Sequence, residues 1–249
     1  MEIKDGLKAA DEEILSFLLI GQSNMAGRGE FADVAPIENK QCRMLRMGRW
    51  QKMSEPINPD RAIFEGKFHS GVGLGASFAD GVATALDCRV GLIPCADGGT
   101  KLAQWMPGEV LFDHAVLMTG LAQRTSRLGG ILWHQGESDC HNDEEVAAYK
   151  DKFITMITAL RRALGAERVP LLIGELSEQI GEEWHLADRP RRMNAVFREI
   201  AEALPHTAVV SAKDLTLKPD KLHFDAVAQR AFGTRYCRAY LDMIGKSKN

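Results

Sequence analysis

Apolar residues in this chain gather into short runs of strand length, and between the runs they recur at the three-to-four-residue spacing of an amphipathic helix. Five runs read as strands: ILSFLLI at 14 to 20, RVGLIPC at 89 to 95, GGILWHQ at 129 to 135, VPLLIGE at 169 to 175 and TAVVSA at 207 to 212. Continuous apolar character, instead of alternation, marks strands buried on both faces. Helices are expected at 75 to 87, 110 to 126, 143 to 164, 189 to 204 and 225 to 244. In the last of these, Tyr236, Tyr240 and Ile244 share one face at i, i+4 and i+8. Strands alternating with helices predict an α/β protein, a five-stranded parallel sheet with helices on both sides.

Residues 28 to 70 break the alternation. They are rich in Arg, Met and Pro with weak periodicity, and are expected to form a long loop with short structured pieces, a setting where function often resides. No repeat, low-complexity tract or Gly/Ser linker divides the chain, so residues 1 to 249 read as a single domain. With 249 residues, 45% of them hydrophobic, one full core can be buried.

In open α/β sheets, ligands bind outside the carboxyl ends of the strands. Gln22-Ser23-Asn24 follows the first predicted strand, ADGGT (96 to 100) the second, GESD (136 to 139) the third behind Gln135, and Glu175 ends the fourth. Polar and small residues therefore converge on one rim.

A serine hydroxyl becomes a useful nucleophile only when a base takes its proton, and that base is usually a histidine oriented by a carboxylate. Ser23 is the candidate nucleophile. In KPDKLHFD (218 to 225), Asp220 and His223 stand three residues apart before the last helix, where one tight turn would bring carboxylate to imidazole. Each half also has a plain structural use: Ser23 as the N-cap of a helix, Asp220 and His223 as a helix-start carboxylate and a surface histidine. A G-x-S-x-G elbow is excluded because Met25 stands where the second glycine belongs. Phosphate-loop spacing is absent from GQSNMAGRG, and GVGLGA (71 to 76) places Ala76 at the third glycine position without a preceding strand.

Acyl transfer also requires donors for the oxyanion. The residues offer the Ser23 amide, a backbone N–H in the glycine-rich SGVGLG (70 to 75), and the Gln135 carboxamide. The glycines could equally form a turn before a helix, and Gln135 a polar strand end.

Taken in order, GQSNMAGRG, GVGLGASFA, IPCADGGT, WHQGESD and DKLHFD resemble the sequence blocks of the SGNH hydrolase superfamily, in its sialate O-acetylesterase and acetylxylan esterase-like branch. The resemblance runs from residue 18 to about 240. It implies a flavodoxin-like three-layer α/β/α sandwich and removal of an O-acetyl group by a serine mechanism without metal or other cofactor. Under it, Ser23 is the nucleophile, His223 the general base and Asp220 its orienter, while Gly73 and Gln135 join the Ser23 amide in an oxyanion hole. Many superfamily members carry Asn where this chain has Gln135. Glu137 is the rival for the acidic role, or else holds its loop by hydrogen bonds. The expected substrate is an acetylated small molecule or oligosaccharide. The alternatives are an SGNH esterase, lipase or thioesterase of broader acyl specificity, and a sugar-binding homologue without catalysis.

Composition narrows the partners. A net charge of -3, with 31 basic residues dispersed except for RPRR at 189 to 192, offers no footprint for nucleic acid or anionic lipid. The apolar run at 14 to 20 is too short to span a bilayer and follows an acidic leader. Five cysteines without CxxC pairing suit a reducing compartment, and the expected location is the cytoplasm. His134, Asp139, Cys140 and His141 crowd one stretch, but adjacent Cys140 and His141 do not easily face one metal ion. Trp133 reads as core and Trp105 as a possible cleft residue. Asp97 and Thr100 read as loop caps or supports for the site, and Arg28 as a substrate contact or a partner for an acidic side chain.

Overall fold

In β1 (Ile14–Gly21), Leu18 and Ile20 enter one apolar cluster while Leu15, Phe17 and Leu19 enter another. A strand covered on both faces must divide its side chains in this way, with a period of two. The computed structural model describes residues 14 to 58 and 69 to 246. The acidic leader and positions 59 to 68 of the expected loop lie outside the described residues.

After β1 come α1 (Ser23–Ala26), β2 (Cys42–Arg46), β3 (Arg49–Lys52), α2 (Leu74–Leu86), β4 (Arg89–Pro94), α3 (Val110–Ala122) and β5 (Ser126–His134). They are followed by α4 (Asp143–Leu164), β6 (Leu171–Gly174), α5 (Ile180–Glu183), α6 (Arg189–Ala203), β7 (Thr207–Val210) and α7 (Ala226–Lys246). The sheet order is β3-β2-β4-β1-β5-β6-β7, with every neighbouring pair parallel except β2 and β3.

Helices α2 and α7 cover one face. Phe17 meets Phe78 and Tyr240 edge-on at 4.8 and 4.9 Å, and Phe232 and Tyr236 extend the same cluster. Helices α3, α4 and α6 cover the other, where Trp133 packs at 5.5 Å from Trp105 and 5.2 Å from Phe153. Each such fully buried ring contributes roughly 1.5–3 kcal/mol by its removal from water. The architecture is the expected three-layer α/β/α sandwich.

The strand count corrects the expectation: the sheet has seven strands, not five. The two additional strands form a hairpin inside the segment expected to be a loop. Its two-residue turn is Met47-Gly48, both with positive φ (50° and 73°), the handedness that matches the twist of antiparallel strands. Cys42 and Met44 are buried against β4, but Arg43 and Arg46 interrupt the apolar run, which hides the strand from a composition reading. Arg49, Gln51 and Lys52 are exposed along β3, and charged side chains on an edge strand oppose pairing with further chains.

Gly21, the last residue of β1, fixes how the chain leaves the sheet. Its φ is +131°, and a Cβ there would stand 2.1 Å from the His134 carbonyl oxygen. That carbonyl also accepts the Gln22 N–H at 2.9 Å, so no relaxation is available without breaking the strand end. Gly21→Ala is expected to destabilise the fold by about 3 kcal/mol, the upper range for backbone strain and overpacking. Urea unfolding followed by circular dichroism measures it; an unchanged midpoint would contradict this reading.

Candidate active site

Ser23 opens α1 directly beyond the carboxyl end of β1 and is 5% exposed. Its Oγ lies 2.9 Å from His223 Nε2, and His223 Nδ1 lies 2.8 Å from Asp220 Oδ2. Asp220 Oδ1 also accepts the backbone N–H groups of Leu222 and His223, both at 3.0 Å. The three-residue spacing thus folds into a tight turn that fixes carboxylate and imidazole together. Burial pushes the Asp220 carboxyl up, but the His223 hydrogen bonds and the Leu222 N–H outweigh it and hold the group below its ordinary value.

Asn24 holds this turn to the sheet. Its Oδ1 accepts the Phe224 N–H at 3.0 Å, and its Nδ2 donates to the Leu222 carbonyl at 3.3 Å. The two peptides flanking His223 are therefore gripped by one carboxamide. The same Nδ2 donates to Glu137 Oε1 at 2.7 Å, and Gln229 Nε2 donates to the Asn24 carbonyl at 3.1 Å.

Glu137, the rival acid, is committed elsewhere. Its Oε1 lies 3.3 Å from His134 Nε2 in a pair with side chains 4% and 0% exposed. Burial pushes its carboxyl up, yet the charge and hydrogen bond of His134 and the Asn24 amide bring it net below its ordinary value. Asp220, not Glu137, hydrogen-bonds His223.

The expected oxyanion donors are not all brought to the serine. Gly73 caps α2, where its N–H donates to Glu55 Oε1 at 3.3 Å, and its backbone fits closely against Gly27 (φ +89°). Gln135 is fully buried. Its Nε2 donates to Asp139 Oδ2 at 2.6 Å and the Thr100 carbonyl at 2.9 Å, while its Oε1 accepts from the Tyr149 hydroxyl at 2.7 Å. Neither residue lines the cleft that holds Ser23.

That cleft encloses about 370 Å³. Gly98 and Gly99, the middle of the turn after β4, line it with Ser23 and His223, and their N–H groups meet no acceptor among the described residues. The turn is braced from below: Thr100 Oγ1 donates to the Asp97 carbonyl at 2.8 Å and accepts the Trp105 indole N–H at 3.1 Å. Asp97 itself is tied to β1 through its N–H and the Gly21 carbonyl, at 3.0 Å. Trp105 is 1% exposed and so supports the turn instead of lining the cleft, while Trp133 is the core residue expected.

The sequence reading missed Trp184, Leu186 and Leu222, which form the apolar wall of the cleft, and left Ser138 without a role. Arg28 lines it as well, with Nη1 donating to the Gly27 carbonyl at 2.7 Å. Trp184 caps the C-terminus of the four-residue α5 and Leu186 lies just beyond it, in a stretch too short for periodicity to reveal which side chains face inward. Among the described residues, no cluster of three His, Cys, Asp or Glu side chains is arranged to hold a metal ion.

A hydroxyl, imidazole and carboxylate in line at the carboxyl edge of a parallel sheet, in an α/β/α sandwich with this block order, define an SGNH-type hydrolase. The chain belongs to the family described as carbohydrate esterase, sialic acid-specific acetylesterase, whose model matches residues 14 to 242. It is 32% identical over 247 residues to a probable carbohydrate esterase of Arabidopsis thaliana, covering 90% of this chain and 89% of that one. A crystal structure of an Arabidopsis thaliana protein superposes with a TM-score of 0.83 at 28% identity, covering 92% of this chain and 98% of that one. A carbohydrate acetylesterase from Xanthomonas citri shares the fold, with a TM-score of 0.67 at 21% identity over 92% of this chain and 56% of that one.

Two outcomes follow from this geometry. Asn24→Ala releases both peptides around His223 and is expected to lower kcat by about 10²-fold with KM little changed, the scale of a misplacement near 1 Å. Steady-state kinetics on an acetyl ester checks this, and a loss confined to KM would contradict it. Because the folded value of Glu137 is depressed, its stabilising contribution is complete above its ordinary value near 4.5 and is lost as pH falls through the folded value. Melting temperature should therefore drop below about pH 4.5, and Glu137→Gln should flatten that drop.

Proposed function

We propose that this chain, acting as one catalytic domain, is a serine esterase that removes O-acetyl groups from acetylated sugars through an acyl-enzyme. The observation that carries the reading is the 2.9 Å approach of His223 Nε2 to Ser23 Oγ, with Asp220 Oδ2 2.8 Å from Nδ1. As Ser23 Oγ attacks the acetyl carbonyl, its proton passes to His223 Nε2. Asp220, ionised at neutral pH, stabilises the imidazolium through the Nδ1 proton.

The tetrahedral oxyanion is met by the Ser23 amide and by the Gly98-Gly99 turn. The Ser23 N–H is one of the first donors of α1 and has no acceptor among the described residues. Each well-placed donor is worth about 2.7–4 kcal/mol in comparable sites. This assignment replaces the expected Gly73, whose N–H points to Glu55, and the expected Gln135, which acts one layer below by fixing Thr100 and thus the turn. The intermediate collapses by breaking the bond to the sugar oxygen, which takes the proton from His223. Water, deprotonated by the same imidazole, then attacks the acetyl-serine and releases acetate.

The family and the Arabidopsis relative establish a carboxylic ester hydrolase of the carbohydrate acetylesterase type. An acetylated small sugar or oligosaccharide is the substrate we assign. No helix among the described residues is long and apolar enough to cross a membrane. The five cysteines are all free, which supports a cytoplasmic setting.

Acetate release from a panel of acetylated monosaccharides and xylo-oligosaccharides tests the proposal. Ser23→Ala is expected to lower kcat by about 10⁶-fold, as for other serine triads, with the fold retained. Residual turnover within tenfold of the native protein would contradict a serine mechanism.

A further inference from the structure

Trp184 is the one tryptophan, tyrosine or phenylalanine among the described residues that line the cleft, and it is 44% exposed, whereas Trp105 and Trp133 are 1% and 0% exposed. Its place is fixed. The indole Nε1 donates to the Asp220 carbonyl at 3.1 Å, so the ring is anchored to the residue whose carboxylate orients His223. Leu186 and Leu222 extend the same apolar surface, and Ser138 and His141 add polar groups to the cleft.

The sheet order gives this wall a direction. Ser23 follows β1, Gly98 and Gly99 follow β4, and Trp184 follows β6. Because β4 and β6 lie on opposite sides of β1, the oxyanion turn and the indole flank the serine from opposite sides. A bound ester with its carbonyl oxygen toward Gly98-Gly99 therefore has a different group toward Trp184. That group stands beside His223, which must protonate the leaving oxygen, so it is the alcohol portion and not the acyl chain.

We infer that Trp184 is the platform on which the apolar face of the leaving sugar ring stacks, making it the residue that selects cyclic sugar esters over small acyclic ones. A pyranose presents axial C–H groups on one face and hydroxyls around its rim. An amphipathic indole held at one edge by a hydrogen bond matches that pattern, with its face toward the ring and polar neighbours for the hydroxyls. The inference rests on the esterase reading above and deepens it by naming the group that recognises the alcohol.

The test measures kcat and KM for a mono-O-acetylated methyl xylopyranoside, ethyl acetate and ethyl butyrate, using the native protein, Trp184→Ala and Trp184→Phe. In Trp184→Ala, the ratio of kcat/KM for the acetylated pyranoside over ethyl acetate is expected to fall about tenfold, mainly through KM, the scale of one lost apolar contact. Trp184→Phe keeps an aromatic face but loses the bond to the Asp220 carbonyl, and should recover most of the ratio. Equal losses of kcat on all three esters, shared by Trp184→Phe, would show that the indole merely braces Asp220 and would overturn the inference. A change in the butyrate-to-acetate preference would place the acyl chain on this wall and overturn it as well. If native protein cleaves the esters but the ratio is unmoved in Trp184→Ala, the platform alone fails; if native protein cleaves none of them, the esterase reading fails with it.

Discussion

One carboxamide ties the two ends of the described chain together. Asn24 stands beside Ser23 near the start, and its Oδ1 and Nδ2 bind the peptides on either side of His223, about two hundred residues later. A hydroxyl and an imidazole this far apart in sequence meet at 2.9 Å only because something local fixes their backbones to each other. The Asn24 amide does so, and it is held in turn by the buried Glu137, whose Oε1 also lies 3.3 Å from His134 Nε2 on the end of β5. Leaving any member of such a buried network unpaired costs about 1–3 kcal/mol, so the alignment of the site and the stability of its floor are coupled.

The same layering recurs on the other side of the serine. Gly98 and Gly99 face the cleft without side chains, and beneath them hydrogen bonds connect Trp105, Thr100, Gln135 and Asp139. Burial raises the Asp139 carboxyl above its ordinary value, partly offset by the Gln135 amide and the Leu102 N–H. Surface groups in the cleft can thus be few because the groups that aim them are buried and satisfied.

Much of the fold was legible because its signals are local. Helix α4 falls on 143 to 164 as expected, since Asn142 caps its start by accepting the Glu145 N–H at 2.8 Å and Gly165 ends it with a φ of 60°. Five of the six mutually parallel strands, β1, β4, β5, β6 and β7, read directly from their mainly apolar runs. The β2–β3 hairpin did not, because its turn residue Met47 is an unusual choice for positive φ and its strands carry arginines. In the site, the residues at the strand ends and in the short Asp220–His223 turn were legible because chain position fixes where they stand. The glycine-rich stretch and Gln135 stood as candidate donors by residue type, and resemblance singled out Gly73; the structure gives Gly73 and Gln135 packing or bracing contacts that no spacing encodes. Trp184 was missed because it ends a four-residue helix too short to show periodicity, and its place in the cleft goes with the tertiary contact of its indole with Asp220.

In the reading proposed for this site, His223 makes the Ser23 hydroxyl nucleophilic. Reaction with a fluorophosphonate probe, followed by peptide mass spectrometry, tests it without reference to any chosen sugar. A single adduct on Ser23 is expected, lost in His223→Ala. A protein that stays unlabelled, or one labelled equally well without the imidazole, would contradict it.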